Sequence, residues 1–148
     1  MASSIDDNEA DKKSDKETDM NTEPQILMYN FQEEKRTHLI RQYLNRAGIG
    51  IRVVQTPEIL ESLGYLFGLP GFSRNPQFNM GNNFSDEMIV LKDFSREQLD
   101  SFLAFFRQNG LKSVSLKAVL TPVTQHWTSM QLYEELRKEH EAMQRPKK

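Results

Sequence analysis

The chain contains no cysteine, which excludes disulfides, thiol catalysis, iron–sulfur ligation and cysteine-based zinc sites together. Histidine is scarce, and His38, His126 and His140 show no ligand-like spacing, so neither a metal site nor a cofactor is expected. No long apolar run exists either. The longest, around Leu63 to Leu69, falls far short of the roughly 20 residues a membrane span needs. No positively charged start followed by an apolar stretch suggests a signal peptide. These absences together predict a cytoplasmic protein without membrane contact. Also missing are a Gly-x-Ser-x-Gly elbow, a phosphate-binding glycine loop and a His-Glu-x-x-His pair.

What is present is unevenly distributed. Residues Met1 to Glu23 carry eight acidic side chains against three lysines, while the remainder carries sixteen basic against thirteen acidic. With only Ile5 and Met20 as large apolar groups, residues 1–23 cannot bury enough surface to offset the entropy of ordering, so a disordered acidic tail is expected there. Residues 24–143 are read as one α/β domain, long enough to bury a core without staples, and residues 144–148 as a short basic tail. An acidic arm on a mildly basic body either aids solubility or masks a binding face.

The same order of events occurs twice along residues 26–122. Each copy opens on an apolar run (Ile26 to Tyr29; Met88 to Leu91), continues through Asn30-Phe31 or Asp93-Phe94 into an amphipathic segment, and ends that segment on Gly48 or Gly110. An alternating run follows (Ile51 and Val53; Val114, Leu116, Ala118 and Leu120) and closes on Thr56-Pro57 or Thr121-Pro122. The spacing of Leu39, Ile40, Tyr43, Leu44 and Ala47, and of Leu99, Phe102, Leu103 and Phe106, predicts two core-facing helices. Ser95 with Gln98 fits a capping box, with Phe94 stapled onto Leu99. Thr56-Pro57 predicts a third helix over about Glu58 to Phe67. A fourth is expected from about Ser129 to Met143, capped by Thr128 with Gln131, stapled by Trp127 on Leu132, and facing inward through Met130, Tyr133, Leu136 and His140.

Strand and helix thus alternate, and this predicts an internally duplicated α/β fold: a four-stranded sheet with helices on both faces. The continuously apolar first and third strands belong in the centre. Right-handed crossovers then give a parallel sheet in the order 2-1-3-4. The alternative is a ferredoxin-like two-layer sandwich with the copies antiparallel. In the parallel sheet Asn30, Thr56, Asp93 and Thr121 gather at one edge, where ligands bind; in the antiparallel one they separate.

Residues 64–72, GYLFGLPGF, place three glycines, a proline and five large apolar side chains in nine positions. Gly64 and Gly68 are four apart and would leave one bare face on a helix, which Pro70 and Gly71 then end. Residues 72–84 form a long connection anchored by Phe72, Phe78, Met80 and Phe84. Long connections in compact domains are usually functional, so this one is read as a lid or a self-association surface through residues 64–84, against the simpler reading of packing over the core.

With LGYLFGLPGF and LKAVLTPVTQHWT both in view, the chain resembles a small bacterial family catalogued only as a domain of unknown function. The resemblance rests on Tyr29, Asn30 and Phe31, on Gly68 to Gly71, on Lys117 to Pro122, and on Trp127 with Thr128, and spans about Ile26 to His140. It implies a bacterial, cytosolic protein, with no activity, cofactor or substrate attached.

Two functional classes follow. One is a non-catalytic binding or regulatory module, with Tyr29, Asn30, Gly68, Leu69, Pro70, Gly71, Phe72, Phe78, Thr121 and Trp127 as candidate binding residues and a second copy or another protein as partner. The other is a small enzyme or phosphate- or nucleotide-binding domain at the strand C-terminal ends. Its catalytic candidates are Lys117, Asp93, His126 and Thr121, a lysine near a carboxylate being able to act as acid or base. The small net positive charge of the body, and basic residues spread along the chain, argue against nucleic acid.

Overall fold

The computed structural model describes residues 23–76 and 83–144. Residues 1–22 of the acidic tail expected over 1–23, the anchors Phe78 and Met80, and residues 145–148 lie outside them. The described elements are strands β1 (Gln25–Tyr29), β2 (Gly50–Val54), β3 (Met88–Lys92) and β4 (Leu116–Val119), with helices α1 (Glu34–Arg46), α2 (Leu63–Leu66), α3 (Arg96–Gln108) and α4 (Ser129–Gln144). Short 3₁₀ turns stand at Thr56–Glu58 and Thr124–His126.

The sheet order is β2-β1-β3-β4. β1 pairs β2 in parallel, β3 pairs β4 in parallel, and β1 meets β3 antiparallel with Ile26 opposite Leu91, Leu27 opposite Val90 and Met28 opposite Ile89. The order and the central strands are as expected, but the sheet is mixed and not wholly parallel. The reason lies in the connection from Gln55 to Glu87, which leaves β2 and enters β3 at the same edge instead of crossing over. Alternation along a strand cannot report this, because reversing a neighbour leaves each side chain on its face.

Both faces are covered, unlike those of a two-layer ferredoxin-like sandwich. On one face Ile26, Met28, Ile89 and Leu91 pack with Ile40 and Leu44 of α1 and Phe102 and Phe106 of α3. On the other Leu27, Tyr29, Met88 and Val90 pack with Leu63 and Leu66 of α2 and Leu132 of α4. Each fully buried aliphatic side chain contributes roughly 1.5–3 kcal/mol, so β1 and β3, buried almost throughout, anchor both layers at once.

The helix ends follow local chemistry. Ser95 and Gln98 form a reciprocal capping box, Gln98 N donating to Ser95 Oγ at 3.0 Å and Ser95 N to Gln98 Oε1 at 2.8 Å. Thr128 and Gln131 do the same for α4. Gly48 and Gly110 end α1 and α3 in the left-handed region, at φ of 76° and 63°.

Several expectations are corrected. The single helix over Glu58 to Phe67 is broken in two: Gln55, not Thr56, caps a 3₁₀ turn by boxing with Glu58, and Ser62 then caps α2 through the Tyr65 amide. Gly64 and Gly68 share no helical face, since Gly68 lies beyond α2 with φ 74°. Ala47 is exposed at the end of α1, whereas Arg36 is buried. Val53 is 40% exposed because β2 is an edge strand that α1 covers only in part.

Candidate functional site

The segment GYLFGLPGF and the turn Thr121 to Thr128 are brought together. Ser62 and Thr128 form an isolated antiparallel bridge, and Leu63 N donates to Trp127 O at 2.8 Å. The Phe72 ring folds back onto Gly64, where an added Cβ would meet ring carbons at 2.6 Å, and its centroid lies 5.1 Å from that of His126. Gly64 thus makes room for a ring and not for a second backbone. Leu69 and Trp127 are half-buried against the core, leaving Gly68, Pro70, Gly71, Thr121 and Val123 at the surface. Gly71, with φ 89°, turns the chain at a position that strains other residues.

The base of this region is tied down. Glu61, almost buried, accepts from Asn75 N at 2.7 Å, while the Asn75 side chain donates to Leu60 O at 2.8 Å. Arg52 donates to Glu58 at 2.6 Å and to Leu66 O at 3.4 Å. Burial opposes ionisation of Glu58, but the Gln55 amide and Arg52 outweigh it and hold this carboxyl below its usual range. Thr121 and Thr124 bond each other reciprocally and fix the turn from β4.

The other predicted residues stand elsewhere. Tyr29 is buried in the core, where its hydroxyl and that of Ser129 lie 2.6 Å apart, and burial pushes the phenol far above its ordinary pKa. Asn30 sits in the left-handed region with φ 64°, and its amide donates to Phe84 O and Asp86 O at 2.9 and 3.0 Å. Asp93 repeats that conformation after β3, with φ 61°. Asn and Asp adopt it more readily than other non-glycine residues. Phe84 stacks on Tyr133 with centroids 4.0 Å apart and belongs to the core.

Because β1 and β3 run antiparallel, Asn30 and Thr56 lie at one edge of the sheet and Asp93 and Thr121 at the other. The gathering expected of a parallel sheet does not occur. Lys117 does not pair with Asp93: its ammonium donates to Val114 O at 2.6 Å. Lys92 is the partner instead, 4% exposed, donating to Asp93 at 2.8 Å and to Glu23 O at 3.1 Å. Sequence reasoning passed over Lys92, and the one signal for it was a lysine directly after a wholly apolar strand.

At the opposite edge a polar cleft of about 650 Å³ lies between the end of β1 and the second half of α4, lined by Asn30, Ser85, Ser113, Arg137 and His140 among others. Its acidic groups and Arg137 are engaged. Arg36 donates to Glu87 at 2.6 Å and to Lys112 O at 2.8 and 3.0 Å, and Arg137 to Asp86, Tyr133 and Glu141. Glu33 caps the Arg36 amide, so the start of α1 already holds an anion. Among the described residues no three His, Asp or Glu side chains come together as a metal site. None of the described helices is long and apolar enough to cross a membrane.

Residues 87–143 match the family described as Domain of unknown function (DUF3783). The matched stretch holds β3, α3, β4 and nearly all of α4, and with them Lys117 to Pro122, Trp127 and Thr128. Tyr29 to Phe31 and Gly68 to Gly71 lie outside it. No curated protein and no solved structure matches the chain.

Proposed function

We propose that this chain is a non-catalytic binding or regulatory module of the bacterial cytosol, working through the rim formed by Gly68 to Phe72 and the Thr121 to Trp127 turn. The observation that carries this reading is the locking of the two segments by Phe72, Gly64 and His126, which leaves Pro70, Gly71 and Val123 facing outward on a fixed base. Val123 is 64% exposed, and an exposed apolar side chain on a rigid turn suits a protein partner, a second copy included. The two strand–helix–strand units, each with Asn or Asp in a left-handed turn after its first strand and glycine after its helix, support reading them as an internal duplication. A second reading, a small polar ligand in the cleft beside Asn30 and Arg137, draws on the volume of that cleft.

Sedimentation velocity of the full chain over a range of concentrations tests the first reading. Self-association in the wild type that disappears in a folded Val123→Asp variant is the expected result. Association unchanged by the substitution overturns the rim as an interface, and a wild type monomeric throughout leaves the rim for a different protein.

A further inference from the structure

The helices on the two faces of the sheet differ in charge. Along the outer surface of α1, Lys35, His38, Arg41 and Arg46 are all exposed, and none takes part in the ion pairs found among the described residues. Arg107 at the end of α3 and Lys112 beyond it add to the same side of the sheet. The acids close by are Glu33 and Glu34 at the start of α1, Glu87, which pairs with Arg36 and lines a cleft with Lys35 and Lys112, and Glu97 and Asp100 on α3, the latter paired with Arg96. On the opposite face α4 exposes Glu134, Glu135, Glu139 and Glu141 against Lys138.

The described chain begins beside this basic helix. Pro24 O accepts from Gly50 N at 3.0 Å, four residues beyond Arg46, and Glu23 O accepts from Lys92. Residues 1–22, which precede that point, carry seven acidic side chains and three lysines. At about 3.3 Å per extended residue, fewer than half of them reach along α1, whose thirteen residues span about 20 Å.

We propose that the acidic segment 1–22 of this same chain lies across the basic outer face of α1, held by charge and by its tether. A tethered segment meets its site at an effective concentration of about millimolar, so contacts too weak to hold a free peptide suffice. The segment shields α1 from other polyanions and is released where salt is high. This surface is separate from the rim proposed above, and either can fail alone.

The absence of cysteine allows a clean test. A nitroxide on Ser4→Cys in the full chain is expected to broaden the amides of Lys35 to Arg46 several-fold more than those of α4 at low salt. The difference should vanish at about 1 M salt, where the screening length is about 3 Å. Arg41→Glu with Arg46→Glu, both at exposed positions, should abolish it. Asp6→Lys, Asp7→Lys, Glu9→Lys and Asp11→Lys in the otherwise unchanged chain should abolish it as well. Equal broadening of α1 and α4, or broadening that survives the α1 variant, overturns the proposal. So does mixed-sequence duplex DNA that binds α1 equally well in the wild type and in a chain carrying the four lysine substitutions alone, an outcome that would give the surface to nucleic acid instead.

Discussion

The two faces of the sheet are covered in different ways. One lies under two thirteen-residue helices, α1 and α3, whose stripes interdigitate through Tyr43, Phe102, Phe105 and Phe106. The other lies under a 3₁₀ turn, the four-residue α2, an irregular segment and the longer α4. The regular face is held by apolar contact alone over most of its area. The irregular face leaves backbone groups outside any helix ladder, and they are satisfied by side chains: Asn30 on Phe84 and Asp86, Asn75 on Leu60, Arg52 on Leu66. Tyr29 and Ser129 bring a buried hydroxyl pair into the same layer. A face built from short pieces needs more polar pins than a face of whole helices, where Arg36 of α1 holds Lys112 O and Glu87.

The sharpest test of that difference is cavity formation on the regular face. Phe102 is fully buried at the centre of α3, and Phe102→Ala should cost about 3–5 kcal/mol, read from the urea midpoint at unchanged m-value. On the irregular face the corresponding test is overpacking. Gly64→Ala drives a methyl group into the Phe72 ring and should cost about 1–3 kcal/mol; in a Phe72→Ala background the same change should cost little. A full cost in that background would show that the Phe72 ring is not what fills the space beside Gly64.

The smallest effect concerns the buried hydroxyl pair. Ser129→Ala leaves the Tyr29 hydroxyl without its partner and should cost about 1–2 kcal/mol at neutral pH, whereas the double change with Tyr29→Phe should come closer to neutral. Burial raises the folded-state pKa of Tyr29 above its ordinary value of 10.0. The folded state therefore binds this proton more tightly than the unfolded one, and stability from Tyr29 is complete below about pH 10 and declines above it. Comparing the alkaline limb of stability in wild type and Tyr29→Phe checks the sign: the variant should fall less steeply.

Legibility followed the length and regularity of the elements, whichever face they cover. α1, α3 and α4 were readable because periodicity, capping pairs and terminal glycines agree with one another at Ser95, Thr128, Gly48 and Gly110. The region from Gln55 to Phe72 was not, because Thr56-Pro57 and Ser62 both offer helix starts within a few residues, and their competition is decided by what each turn packs against. Of the candidate site, Gly68 to Phe72, Thr121 and Trp127 were named together as candidate binding residues, and the bridge between Ser62 and Thr128 joins their two segments. The distribution of the polar residues at the strand ends was not, since it depends on strand direction.

The sequence by itself determined which strands are central, because side chains buried on both faces must be apolar throughout, and where the long helices begin and end, because their caps are local chemistry. Only the tertiary structure decided that β3 runs against β1, that Lys92 and not Lys117 serves Asp93, and that Gly64 accommodates Phe72. Those outcomes depend on how a long connection returns to the sheet, and such a path is fixed by contacts between residues far apart in the chain.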